Sequence, residues 1–99
     1  MPDRFFVIAH YFGKKGTGET ILEYLQKLAA ESRRETSNLS YEFFRSVENE
    51  DHFVIIESYI DEEAFVVHRD SLHFRELGKS KIIPLLESRK ILSTTINVR

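Results

Sequence analysis

The chain has no cysteine among its 99 residues. It can therefore form no disulfide bond, no nucleophilic thiolate and no zinc site built on sulfur. A lack of cysteine also fits a reducing compartment. The longest early apolar run, Phe5 to Ala9, is too short for a membrane span or for the core of a signal peptide. We therefore expect a cytoplasmic protein.

A large excess of charge is also missing. Lysine and arginine total 14 against 16 acidic residues, which gives a net charge of -2. This balance gives no electrostatic reason to expect a nucleic acid or an anionic membrane as a partner. Tryptophan is absent, yet there are 8 phenylalanines and 4 tyrosines. These flat side chains can line a pocket or an interface.

Six segments have the sequence pattern of a strand or a helix, in the order β-α-β-β-α-β. The strands are predicted at 5–12, 39–47, 53–60 and 91–98. Thr17 and Asp61 are good N-caps for the two helices, and Gly78 is predicted to end the second helical region. The order is that of the split βαβ unit. It predicts one α+β domain over residues 1–99, with a ferredoxin-like fold and a four-stranded antiparallel sheet.

The predicted strands are apolar on both faces. Phe53, Ile55 and Tyr59 of the third strand point one way, whereas Val54 and its even-numbered neighbours point the other way. Two helices can cover only one face of a four-stranded sheet. A domain this short also buries only about 60–70% of the surface exposed by its unfolded chain. We therefore expect a homodimer packed sheet to sheet.

His68 lies in the middle of the apolar face of the second predicted helix. At about 100° per residue it shares one arc with Ala64, Phe65 and Leu72. One interpretation is a core histidine that bonds a backbone carbonyl or a tyrosine. The other is a general base or substrate-orienting group in a pocket between helix and sheet, since an ordinary histidine pKa is near 6.5.

The other histidines are scattered along the chain. We expect His73 at a helix end or on the surface, His10 in a structural role on the dimer face, and His52 exposed at a hairpin edge. They form no zinc-ligand spacing and have no organised carboxylate cluster beside them. The sequence therefore predicts no metal site.

Glu57 is unusual because it shares an apolar strand face with Tyr59. A buried carboxylate is costly unless it is paired or hydrated. We favour a pair with Arg45 on the neighbouring strand, and the alternative is that Glu57 points into a pocket. The GKKGTG loop at 13–18 lacks any phosphate-loop pattern, although Lys14 and Lys15 could attract an anionic substrate.

The region from Phe53 to Phe74 resembles the antibiotic biosynthesis monooxygenase family. The shared features are a strand that ends in Glu-x-aromatic, an acidic helix start, Ala-x-x-x-His and Ser-x-His-Phe. They correspond here to Glu57-Ser58-Tyr59, Asp61-Glu62-Glu63, Ala64 to His68, and Ser71-Leu72-His73-Phe74. The resemblance covers nearly the whole chain. It implies a dimeric α/β barrel. The members of this family catalyse different reactions.

The haem-degrading branch of that family is disfavoured. Its members use an asparagine on the first strand, a tryptophan at the end of the third strand and a histidine after the second helix. The matching positions in this chain are Ala9, Tyr59 and Gly78, so all three differ.

Other members are oxygenases that turn phenols or hydroquinones into quinones without a cofactor. The resemblance therefore implies a monooxygenase without metal or flavin, acting with O₂ on a small phenolic, hydroquinone or polyketide-like substrate. It implies His68 as the catalytic residue. The implied substrate-binding residues are Tyr11, Tyr41, Tyr59 and Phe65. Two alternatives remain: an isomerase of a phosphorylated sugar-like signal, with Lys14 or Lys15 on the phosphate, and a non-catalytic dimer that binds a small molecule.

Overall fold

The computed structural model describes residues 3–97, which form four strands and two α-helices in the predicted order. The elements are β1 (Asp3–Gly13), α1 (Gly18–Ser32), β2 (Asn38–Arg45), β3 (His52–Tyr59), α2 (Glu62–Arg69) and β4 (Leu86–Asn97). A π-helical segment (Phe74–Ile82) and one turn of 3₁₀ helix (Ile83–Leu85) connect α2 to β4. The fourth strand begins earlier than predicted, and its predicted last residue, Val98, lies outside the described residues. Within 3–97, no helix has the length and apolar character needed to cross a membrane.

The strands form one antiparallel sheet in the order β2-β3-β1-β4. The long central strand β1 pairs with β3 on one side and with β4 on the other. Helices α1 and α2 follow β1 and β3, as the split βαβ unit requires. The predicted ferredoxin-like α+β fold is confirmed.

The core lies between the helices and one face of the sheet. Odd-numbered residues of β1 and β3 point towards it, because side chains alternate along a strand. Ile21, Leu25 and Leu28 of α1 pack there and are fully buried. The π-helical segment adds the fully buried Ile82. This arrangement leaves the even-numbered face of the sheet without any helix.

The prediction that Gly78 ends the second helical region is wrong. Helix α2 ends at Arg69, and Gly78 lies inside the π-helical segment. A Cβ atom at this glycine would lie 3.0 Å from the ring atoms Cδ1 and Cε1 of Phe74. A larger residue here would require that ring to shift, so the glycine allows close packing against the ring and does not stop the helix.

The start of α1 is capped from outside the helix. Thr17 is the N-cap residue, as predicted, but its hydroxyl donates to the carbonyl of Lys14 at 2.6 Å and makes no capping bond. The buried carboxylate of Asp51, in the β2–β3 turn, instead accepts from the amides of Gly18 at 2.8 Å and Gly16 at 3.1 Å. At α2 the prediction is confirmed, because Asp61 accepts from the amide of Ala64 at 2.8 Å.

We expect Asp51→Ala to lower the free energy of unfolding by about 1–2 kcal/mol, the usual effect of losing a helix cap. The loss should be visible in urea denaturation curves. Thr17→Ala is the comparison variant and should cost less, because its side chain does not cap the helix. A larger loss for Thr17→Ala than for Asp51→Ala would contradict this assignment.

The even-numbered face of the sheet is apolar and largely open to solvent. Ile8, Phe44 and Leu92 on this face are 36%, 51% and 51% exposed. His10 and His52 also lie here, with 3.1 Å between Nδ1 of His10 and Nε2 of His52. The expectation that His52 is exposed is wrong, because its half-buried ring stacks on Phe12 with 4.3 Å between ring centroids.

Candidate functional site

His68 lies on the inward face of α2 and is 1% exposed, so its predicted orientation is confirmed. Aromatic rings surround the imidazole. The ring centroids of Tyr59 and Phe74 lie 5.4 Å and 5.3 Å from it, and those of Tyr41 and Phe65 lie 6.0 Å away. Two carboxylates also reach this histidine, although no carboxylates were expected to be organised beside the histidines.

Each ring nitrogen of His68 faces a carboxylate. Nδ1 lies 2.7 Å from Oε2 of Glu35, a residue of the loop between α1 and β2. Nε2 lies 3.6 Å from Oε1 of Glu57 on β3. An ionised carboxylate can only accept a hydrogen bond, so Nδ1–H donates to Glu35. In the neutral ring this tautomer leaves the lone pair on Nε2, the nitrogen that faces Glu57.

The electrostatic surroundings keep His68 neutral near pH 7. Burial lowers the pKa of its imidazole below the ordinary 6.5. The hydrogen bond and charge of Glu35 oppose this shift, whereas the nearby His73 and Arg69 add to it. A neutral imidazole can accept a proton, which is the condition that a general base must meet.

Glu57 points into the core instead of pairing with Arg45, so the predicted ion pair is wrong. The register places Phe53 opposite Arg45, and Nη1 of Arg45 pairs with Oε2 of Glu19 at 2.6 Å. Glu57 instead accepts from the hydroxyl of Tyr59 at 2.7 Å. Burial raises the pKa of the Glu57 carboxyl to about 7, the Tyr59 bond opposes the rise, and the charge of Glu35 adds to it.

A small inner pocket lies against these groups. Its volume is about 30 Å³, and about one or two water molecules need that much space. Of the residues predicted to form the site, Tyr11, Tyr41, Phe65 and His68 line it. Tyr59 is not among the lining residues. It is fully buried and acts on the site through its bond to Glu57.

A larger outer pocket adjoins the inner one. Its volume is about 420 Å³, and it shares Arg69, Phe74 and Arg89 with the inner pocket. Lys14 and Lys15, the lysines considered for binding an anionic substrate, line neither pocket. The ammonium of Lys14 instead donates to the carbonyl of Pro84 at 3.3 Å. The cationic side chains that line the two pockets, such as Arg69 and Arg89, therefore come from other parts of the chain.

Glu35 and His73 belong to the site, although neither was predicted to be a site residue. Nε2 of His73 bonds the same Glu35 oxygen that bonds His68, and the His73 side chain is only 19% exposed. We expected His73 at a helix end or on the surface, and this expectation did not include its contact with Glu35. Glu35 is 33 residues from His68 in a polar loop without periodicity, so no local pattern could identify it.

The same three residues could also hold a metal ion. One ligand atom from each of Glu35, His68 and His73 lies within 4.8 Å of the others. Two imidazoles and a carboxylate suit divalent transition metals. Both imidazoles are hydrogen-bonded to the Glu35 carboxylate. The expectation that the protein works without metal or flavin stays a prediction.

The fold and the site together define a ferredoxin-like α+β protein with a histidine held between carboxylates beside an aromatic-lined pocket. Residues 4–79 match the family model of the antibiotic biosynthesis monooxygenases. The chain belongs to this family, as the resemblance in its sequence indicated.

Individual relatives agree with this assignment. "Putative monooxygenase YcnE" of Bacillus subtilis (strain 168) is 37% identical over 57 residues, and the match covers 58% of this chain and 60% of that protein. The crystal structure of PA3566 from Pseudomonas aeruginosa has a TM-score of 0.88 at 26% identity, covering 99% of this chain and 98% of that chain.

A second solved structure shows likeness of fold alone. The "Putative antibiotic biosynthesis monooxygenase from Nitrosomonas europaea" has a TM-score of 0.86 at 20% identity, covering 92% of this chain and 88% of that chain. The match to the relative from Bacillus subtilis spans only 60% of that protein's length.

Proposed function

We propose that the protein is a monooxygenase that oxidises a small phenolic, hydroquinone or polyketide-like substrate with O₂, without metal or flavin. The observation that carries this proposal is the neutral, buried His68 beside a pocket, with Glu35 fixing its tautomer. The family match supports oxygenase chemistry. The aromatic lining supports a flat, apolar substrate.

His68 would act first, as the base that removes the phenolic proton. The resulting phenolate is electron-rich enough to pass one electron to O₂, and the two radicals then combine to form a carbon–oxygen bond. Loss of the ring hydrogen and cleavage of the O–O bond give the quinone and one water. One oxygen atom of O₂ thus enters the product and the other leaves as water, so that no external reductant is needed.

The neighbouring groups have separate roles in this scheme. Burial raises the pKa of Tyr11 to about 12 and that of Tyr41 well above its ordinary 10, so both stay protonated and can donate to a substrate oxygen. The Glu57 carboxyl, whose pKa is near 7, can return a proton when water is released. The inner pocket is too small for an aromatic ring but has room for O₂, so the ring would lie at its boundary with the outer pocket.

Oxygen uptake tests the function directly. An oxygen electrode should record consumption when the purified protein is mixed with members of a panel of anthrones, hydroquinones and simple phenols. Mass spectrometry with ¹⁸O₂ should then find one labelled atom in the product. If no member of the panel is consumed, the oxygenase proposal fails and a non-catalytic binding protein becomes the better description.

We further propose that two copies pack through the uncovered sheet face to form a dimeric barrel. This face exposes several large apolar side chains, and burying such a patch is a common basis for association. We expect light scattering to give about twice the chain mass of 11.7 kDa. Leu92→Glu should shift the mass to that of a monomer, whereas Val67→Glu, at an exposed position of α2, should not. A stable monomeric wild-type protein at micromolar concentration would overturn this proposal.

A further inference from the structure

The outer pocket is strongly cationic, although the chain as a whole has a net charge of -2. Four cationic side chains line it, against the single carboxylate of Asp70. The cations are Arg69, Arg75, Lys79 and Arg89. They come from α2, the π-helical segment and β4, so the fold brings them together from separate parts of the sequence.

Apart from Asp70, no acidic side chain of the described residues lines this pocket beside these cations. Within residues 3–97, none of the four makes an ion pair. The guanidinium of Arg69 lies over the ring of Phe65, 5.9 Å from its centroid, and this contact leaves its hydrogen-bond donors free. Like charges that converge on a concave surface repel one another, and a bound anion would remove that repulsion.

The cationic pocket is continuous with the histidine site. Arg69, Phe74 and Arg89 line both pockets. Arg69 directly follows His68 on α2, and Arg89 is the register partner of Tyr11 across the β1–β4 pair. Both arginines are close enough to Tyr11 for their charges to oppose the rise in its pKa. A ligand of modest size could therefore contact the cations and His68 together.

We propose that the outer pocket binds an anionic group of the substrate, a carboxylate or a phosphate, and that the phenolic end of the same molecule faces His68. This rests on the function proposed above and narrows its substrate class to anionic phenols. Arginine suits the role because its planar fork can form two parallel hydrogen bonds to either group. At about 420 Å³ the pocket lies within the range of small-molecule sites.

Binding under anaerobic conditions tests the anion site without any turnover. We would titrate the protein with 4-hydroxyphenylacetate, its neutral amide and 4-hydroxyphenyl phosphate, and follow the heat of binding. We expect at least one anion to bind about tenfold or more tightly than the amide, because charge-assisted bonds are about twice as strong as neutral ones. The preference should shrink as salt is added.

Variants locate the site. Arg89→Gln and Lys79→Gln each remove one exposed cation from the outer pocket, and each should weaken binding of the preferred anion by about fivefold to tenfold. Lys14→Gln and Lys15→Gln remove cations of the GKKGTG loop and should leave the affinity unchanged. Equal binding of the amide and both anions, or equal losses from all four variants, would overturn the proposal.

The two proposals fail in different ways. If anions bind selectively but no phenol consumes O₂, the anion site stands and the oxygenase function fails. A marked preference for the phosphate in that case would favour the isomerase alternative. If neutral phenols are oxidised and the anions gain nothing in affinity, the function stands and the anion site fails.

Discussion

Replacing His68 with glutamine should lower kcat/KM for oxygen uptake by about 100-fold or more, the usual contribution of a positioned general base. Glutamine is similar in size and can still bond Glu35, so the pocket should keep its shape. It cannot accept the phenolic proton at neutral pH, so the substrate must lose that proton to water. The expected loss should shrink as pH approaches the pKa of the free phenol, because the substrate then ionises without help.

Two measurements separate loss of the base from loss of the fold. Circular dichroism should show an unchanged fold, and anaerobic titration should show that His68→Gln still binds the substrate. His52→Gln is the matched control, since it removes a histidine from the opposite face of the sheet and should retain activity. Uptake by His68→Gln at the wild-type rate across the pH range would eliminate His68 as the base.

Replacing Glu57 with glutamine should stabilise the protein at pH 8.5 and have little effect at pH 4.5. Burial raises the folded-state pKa of this carboxyl from an ordinary 4.5 to about 7. Such a group favours the folded state fully below pH 4.5, and that contribution is lost as pH rises through 7. Glutamine carries no charge at any pH, so the difference between the two proteins should reach on the order of 3 kcal/mol above pH 8.

Urea denaturation at both pH values measures this difference. Tyr59, His68 and Glu35 are the titratable groups whose bonds or charges act on Glu57, and glutamine can still accept the hydrogen bond from Tyr59. Glu42→Gln, at an exposed position of β2, is the matched control and should leave the pH dependence of stability unchanged. A stability difference that is the same at pH 4.5 and pH 8.5 would show that Glu57 is not the cause. If activity falls in the stabilised variant, the buried carboxyl is retained for function at a cost in stability.

The sequence was informative where its signal was periodic. Helical spacing placed His68 on the buried face of α2, and alternation along the strands revealed a sheet that is apolar on both faces. The capping role of Asp61 followed from the local chemistry of helix N-termini. Each of these predictions uses residues within a few positions of one another, where backbone geometry fixes which side chains are neighbours.

Contacts between distant segments could not be predicted in the same way. Glu35 contacts His68 across 33 residues of chain, and nothing in the composition of the Glu35 loop indicates this contact. The predicted pair of Glu57 with Arg45 failed because it depended on strand register: Glu57 lies opposite Tyr41, four residues along β2 from Arg45. The outer pocket likewise needs three elements to be positioned together before its cations meet.

The Asp51 cap also bears on the order of folding events. The first turn of α1 depends on a carboxylate 33 residues further along the chain, in the turn that joins β2 and β3. Helix α1 therefore lacks a cap until this hairpin is in place, and its first amides gain protection from solvent exchange only together with the hairpin. The two parts should open as one cooperative unit, so that the helix start cannot fray independently as helix ends usually do.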